Sequence, residues 1–561
     1  MENYFFELKE QILNQERWDN KHFHVFDYEA GKGKSTTAQK ILGEMTKEYP
    51  FRVLYVQPYV KDNLLDETVA SINKSAGKQV AVGYSSEDTK KGKKKQAEEA
   101  QILCLTTNFY QQISKGNHKE FIRDREILII DEFPDFLEVE SIGLADIGEL
   151  WSKLGFHSKE LDLLVNDLRG KFFKIMENKS AQKTPIISHL DFKSELYKTS
   201  KKVIMGLMQS SSKDTQPLLT KILHLLQNGC LFHENQLHTF NSDSKLLPLK
   251  CNLILDANGF DARYHLSNQF IVRKQSKAFS YENTHLNHYE INTAKKGLKR
   301  YADFHETVLQ KVNIEERKGV LFITDKDSEQ ILKGCLEAHF SHMGENLEEI
   351  SKRMGCRLEI NHFGNIVGVN HYRDFDTVLI LKTPFYNYLN YAMNYFYYSS
   401  LDQKPIGNIE VFQHEEVENL RITMVAGEIY QAIKRINRDN SQIAMMEVCC
   451  DFREAMDMVK QQLPGVQYSK AKMEVSKKKK YDNSSRKDNS VFEKRIEQLK
   501  ALIMQYQSEG KSEVKKEELI ERLELKQKSS LSKVLKSLQG FIESQQIINK
   551  GQWLYFSDSN V

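Results

Sequence analysis

A chain of 561 residues is several domains long, and its 40% hydrophobic content is enough for ordinary cores. With 80 basic against 77 acidic side chains the formal charge is +3, so the total carries no nucleic-acid signal and any basic footprint must be local. Cys104, Cys230, Cys251, Cys335, Cys356, Cys449 and Cys450 include no pair at C-x-x-C spacing and no histidine pair at zinc-finger spacing. That pattern excludes a zinc ribbon, speaks against an iron–sulfur cluster and reads as reduced thiols in a cytoplasmic chain.

The first residues, MENYFFELKEQILNQERW, carry acids within the apolar stretch, which predicts an amphipathic helix rather than a signal peptide. No apolar run is long enough to cross a membrane, and no membrane partner is expected. From about 23 to 136, the runs HFHVFDY, FRVLYVQPY, QILCLTT and EILIIDE alternate with helical patterns. Short bounded runs of Val, Ile, Leu and Phe predict buried parallel strands, and the alternation predicts a doubly wound α/β domain.

AGKGKST, Ala30 to Thr36, falls between the first of these strands and the helical TAQKILGEM. Gly31 and Gly33 allow backbone N–H groups to turn around phosphate oxygens, and the helix behind adds its positive end. Ala30, Gly31, Lys32, Gly33, Lys34, Ser35 and Thr36 are thus the expected cradle for ATP. Lys34 would reach the β- and γ-phosphates, and Ser35 would ligate Mg²⁺. Tyr28 stands where the strict pattern has glycine. The bland alternative is a lysine-rich loop capping a helix.

Farther on, KKGKKK (90–95) is either a phosphate contact or a solvated loop. EILIIDEFPDF then ends a strand on Asp131 and Glu132. Carboxylates at that edge of a parallel sheet stand where ligands bind. Asp131 would hold Mg²⁺ and Glu132 would polarise the attacking water, against the alternative of solvated strand-end acids.

Residues 137–250 repeat Glu, Lys, Leu and Phe at helical spacing and predict a mostly helical insertion, ending in a short β element near CLFHENQLHTF. Strand-like CNLILDA closes the first domain, assigned 1–294, and GVLFITD and DTVLILKTP open a second α/β domain, 295–463. FYNYLNYAMNYFYY predicts a helix packed on the sheet with a wet tyrosine rim. QAIKRINRD, from Gln431, sets Arg435 and Arg438 four and then three residues on, one face of a helix. By itself that segment also fits a basic surface helix.

A charged linker, 464–490, contains KKKK (477–480). Residues 491–561 predict three helices and two short strands, a winged-helix-like module. Lys526, Lys528 and Lys533 surround the start of its third helix and would meet nucleic acid, with a protein-docking role as the alternative.

AGKGKST, IIDEFPDF and QAIKRINRD in this order resemble superfamily 2 helicases of the DEAD/DEAH-box-like kind, whose second domain carries QxxxRxxR. Gln431, Arg435 and Arg438 match that pattern. The resemblance spans roughly 20–450 outside the insertion. It implies two RecA-like domains, an ATP-dependent helicase or translocase, and nucleic acid as partner, with DNA favoured over RNA. Catalysis would fall to Asp131, Glu132, Gln431, Arg435 and Arg438. LYVQPYV and CLTTNFY resemble strand-tracking segments, in which Thr106 and Thr107 would donate to phosphates. HFGNIVGVNHYRDF resembles a segment lining both clefts, with Gly368 on the nucleotide side and Asn370 on the nucleic-acid side. Departures are Asp256-Ala257-Asn258 in the coupling motif, Val367 where arginine is frequent, and Lys434 where glycine is usual. Two competing readings stay open. One is a nucleotide-gated switch that engages a protein partner through the insertion or C-terminal module. The other is a winged-helix regulator with a decayed motor.

Overall fold

The computed structural model describes residues 4–58, 64–88, 91–179, 185–365, 371–478, 489–523, 525, 528–545 and 547–556. The chain forms two compact units, 1–476 and 477–561.

The first unit is built on two parallel sheets, as expected for two RecA-like domains. The first sheet runs in the order Phe270–Lys274, Phe23–Asp27, Cys251–Leu255, Ile127–Asp131, Val53–Gln57, Ile102–Thr106, Ala81–Tyr84. Alternate residues bury on opposite faces. Leu54, Val56, Leu128 and Ile130 enter one cluster, while Val53, Tyr55, Ile127 and Ile129 enter the other. A strand covered on both faces has to be apolar throughout, which is why these four-to-five-residue runs were readable. Leu255 pairs with Asp131 on one side and Phe26 on the other, so three adjacent strands end level with one another.

Beneath this sheet Arg125 is 5% exposed. Its guanidinium donates to the carbonyls of Phe121 (2.6 Å), Val53 (2.8 Å), Ala97 (2.9 Å) and Gln101 (3.4 Å). Burial pulls its pKa down to about 9. Arg125→Ala would strand these acceptors in the core. The expected loss is about 3 kcal/mol, measured as a lower denaturation midpoint.

The second sheet runs Arg357–His362, Gly319–Thr324, Thr377–Ile380, Ala444–Cys449, Thr284–Glu290, Gln467–Lys472, all parallel. Two of its strands correct the expected boundaries. Thr284–Glu290 had been assigned to the first domain, and Gln467–Lys472 to the basic linker. Both are polar-rich, and Gln467–Lys472 is a largely exposed edge strand, so neither shows the apolar run that marks an interior strand. The second sheet therefore begins ahead of 295 and extends past 463.

The insertion is helical, as expected, with helices Leu144–Leu154, Lys159–Lys179, Glu195–Met208 and Gln216–Asn228 around one core. It also contains more β structure than expected. Cys230–His233 and Gln236–Phe240 form a hairpin whose turn residues, Glu234 and Asn235, both have positive φ. Val139–Ile142 and Ile186–Leu190 flank it, and Ile409–Glu410 adds to the edge. The tyrosine-rich helix Tyr388–Leu401 is almost wholly buried. Phe396 and Tyr397 pack against Phe240 of the insertion, and the Tyr397 hydroxyl donates to the Ser244 carbonyl. The expected wet rim is confined to its approach, where Tyr386 is exposed.

The second unit contains helices Asn489–Ser508, Lys516–Arg522, Lys528–Ser537 and Gln539–Ser544, and a three-stranded antiparallel sheet ordered Glu513–Lys515, Trp553–Tyr555, Ile548–Lys550. Leu499, Ile503, Leu531, Val534, Leu535 and Leu538 lie in its core, with Ile496 and Leu502 partly buried against it. Among the described residues no helix is long and apolar enough to cross a membrane.

Candidate nucleotide-binding cleft

The strand Phe23–Asp27 leads into the glycine loop, and Gly33 at φ 88° starts the helix Lys34–Met45. Tyr28 is fully buried, stacked on Phe26 and packed on Phe5, so the position where glycine is usual has become part of the core. Gly31, at φ 85°, lies against the backbone of Arg438, and a Cβ there would collide with the Arg438 carbonyl oxygen. The loop and the arginine segment are thus in direct contact.

One cavity of about 570 Å³ is bounded by the whole loop Ala30–Thr36, by Asp131 and Glu132, and by Gln431, Arg435 and Arg438. The sequence-derived residues therefore converge. Their local geometry differs from expectation in one respect. The helix Glu415–Ile433 ends with Lys434 as its cap, so Gln431 is on the last turn while Arg435 and Arg438 lie on the turn that follows. Asn437, at φ 40°, holds that turn. Its amide N–H donates to the Phe375 carbonyl (3.0 Å) and its side chain donates to the Gln442 carbonyl (2.8 Å).

Burial raises the pKa of Asp131, with Lys34 opposing and Glu132 adding to the effect. Tyr55 donates to Asp131 Oδ2 at 3.0 Å, while Oδ1 is buried without a hydrogen-bond partner. An unsatisfied carboxylate oxygen near the Ser35 hydroxyl fits Mg²⁺, which takes few protein ligands and completes its shell with water and phosphate. Among the described residues no group of three or more His, Cys, Asp or Glu is arranged for a metal. Glu132 adopts φ 71°, a left-handed conformation costly for a residue with a Cβ, and its N–H donates to Leu255 O at 2.9 Å. Arg435 is 4% exposed and its Nε has no hydrogen-bond partner. Burial lowers its pKa against the pull of Glu132 and Glu428. Burial brings Arg438 down to about 10, with Arg435 adding to the effect.

Several residues here were given no site role from the sequence, although Asp256 and Lys434 were marked as departures. Asp256 is buried, which raises its pKa, and it accepts from the Tyr264 hydroxyl at 2.8 Å. Arg263 pairs with Asp261 and lies 3.6 Å from the Phe133 ring centroid, which links the DAN segment to the acidic strand end. Arg373 also lines the cavity; it falls within HFGNIVGVNHYRDF, the segment expected at the cleft, but was not itself named there. Asp27 and Asp256 end apolar strands just as Asp131 does, and that shared signal was available. Glu29 is fully buried and accepts from the N–H groups of Ala278 (2.6 Å) and Phe279 (3.1 Å) and from the Tyr281 hydroxyl. Lys434 lies over the rings of Tyr281 and Phe279, and burial takes its pKa down to about 8. Lys32 rests on Phe279, its Nζ 4.6 Å from the ring centroid.

Burial raises the pKa of Asp27 to about 6, against Lys277. A carboxyl raised this way keeps its proton longer folded than unfolded, so its contribution to stability falls as pH rises from about 4 to about 6. Asp27→Asn should equal wild type near pH 4 and exceed it by on the order of 2 kcal/mol above pH 6, measured by chemical denaturation across that range.

Of the expected nucleic-acid residues, Thr106 caps the helix Thr107–Ser114 through its hydroxyl, and the Thr107 hydroxyl donates to Gln57 O. The Thr107 proton is thus used internally, whereas Thr106 only accepts in its cap bond. Gly368, Asn370 and Lys526 lie outside the described residues, as do the side chains of Lys528 and Lys533. In the basic cluster, Lys93 pairs with Asp88, Lys94 with Glu120 and Lys95 with Glu99.

Fold and cleft together define a protein of two RecA-like α/β domains with a P-loop-type glycine loop at the cavity. Residues 3–135 match the family model described as Type III restriction enzyme, res subunit. No curated protein matches the chain. Among solved structures, it is similar to S. tokodaii Xpd4, with 14% identity, TM-score 0.47, and coverage of 84% of this chain and 100% of that one. It is also similar to the DUF1998 helicase MrfA bound to DNA and AMPPNP (9%, 0.38, 96% and 58%). S. cerevisiae Dbp5 bound to RNA and ADP BeF3 gives 8%, 0.36, 86% and 94%.

Proposed function

We propose that the chain is an ATP-driven helicase or translocase that acts on nucleic acid, with DNA favoured. The observation that carries this reading is the shared cavity, in which the glycine loop meets Asp131, Glu132, Arg435 and Arg438 across two RecA-like domains. Ala30–Thr36 would cradle the triphosphate, and Ser35 and Asp131 would hold Mg²⁺. The metal would neutralise charge on the phosphates. Glu132 would take a proton from the attacking water. Gln431 would orient the reacting groups, and the two guanidiniums would stabilise charge developing on the γ-phosphate. The C-terminal unit, read as a winged helix, would add nucleic-acid contacts.

The test is ATP turnover measured against single-stranded, duplex and forked DNA and RNA. Stimulation by at least one strand type is expected. A folded, ATP-binding preparation that none of them stimulates would leave the switch reading in its place.

A further inference from the structure

We propose that Tyr55 is a positioning residue for the metal carboxylate: its hydroxyl fixes Asp131 through Oδ2 and thereby reserves Oδ1 for Mg²⁺. This rests on the ATPase reading above. Tyr55 pairs with Ile129 on the neighbouring strand, so it shares a sheet face with Ile129 and Asp131, two residues apart. The ring is fully buried, beside Cys104 and Ile129 in one apolar cluster, and is held in place by that packing. Its hydroxyl donates to Asp131 Oδ2 at 3.0 Å, with the Gln39 side chain also in hydrogen-bonding reach of it.

The physical need is specific. A buried carboxylate with two free oxygens can rotate and offer either one, and a metal site gains from having that choice removed in advance. A phenol donor satisfies one oxygen and leaves the other unpaired, which is the arrangement observed. The strand carrying Tyr55 is itself tied to the phosphate-loop helix. Gln39 donates to Thr68 Oγ1 at 3.4 Å, and Thr68 donates to Gln57 Oε1 at 2.7 Å, at the end of the Tyr55 strand. Gln39, Gln57 and Thr68 all border the same cavity, so the phenol is referenced to the loop that would hold the nucleotide.

Tyr55→Phe keeps the ring and removes the donor. Binding of a fluorescent ATP analogue would be followed in the full-length protein as Mg²⁺ is titrated. The variant should bind the metal-free analogue as wild type does, with circular dichroism unchanged. The Mg²⁺ concentration at half effect should rise about tenfold, the scale of one hydrogen bond to a charged group. In an Asp131→Asn background the same change should have no further effect. An unshifted midpoint, or a shift that persists beside Asp131→Asn, would overturn the proposal. Wild-type protein whose ATP binding ignores Mg²⁺ would overturn the functional reading itself, and this inference with it.

Discussion

Replacing Arg435 with alanine should lower ATP turnover about 10³-fold while changing nucleotide affinity only a few-fold. The guanidinium is almost inaccessible, its Nε lacks a partner, and it borders the cavity opposite Lys34. A buried cation in that condition is costly unless an anion arrives. Its effect should grow as negative charge builds on the transferring group, so the loss belongs in kcat more than in KM. Arg435→Lys should recover little, because an ammonium lacks the planar fork that spans two oxygens. Steady-state kinetics on both variants decides the matter. A tenfold rise in KM with unchanged kcat would assign Arg435 to ground-state binding only.

Glu132→Gln should be comparably severe, with turnover falling roughly 10²- to 10⁴-fold and ATP still bound. The amide preserves size and the Leu255 backbone bond, and removes the capacity to take a proton together with the charge that faces Arg435 and Arg438. The residue is held at φ 71°, and backbone strain of that kind persists where the surrounding structure imposes it. Single-turnover measurement separates binding from chemistry. Loss of binding in the glutamine variant would mean that Glu132 serves the fold of the loop rather than the reaction.

Much of this cleft was legible in the chain. Asp131 ends a run of pure aliphatics, and the glycine loop sits between a strand and a helix, so local pattern carried both. The arginines were found by spacing, yet the helical face invoked to align them does not exist, because the helix stops at Ile433. What shapes their turn is a bond from Asn437 to Phe375, some sixty residues away in sequence, and no local propensity reports such a contact. Thr284–Glu290 and Gln467–Lys472 went unseen for a related reason. Their polar residues are tolerated next to a sheet edge, where burial demands less. Tyr55 reads as one more buried strand residue until its neighbour Asp131 is known.

Glu29 has a consequence for motion. It stands two residues ahead of Gly31, yet its carboxylate grips the chain that enters the second sheet. A displacement of the glycine loop, as when a ligand fills it, would be passed through that carboxylate to Ala278, Phe279 and Tyr281. The stretch of backbone that forms the nucleotide loop is thus also an anchor for the second sheet's lead-in segment, so the two cannot shift independently without breaking those bonds.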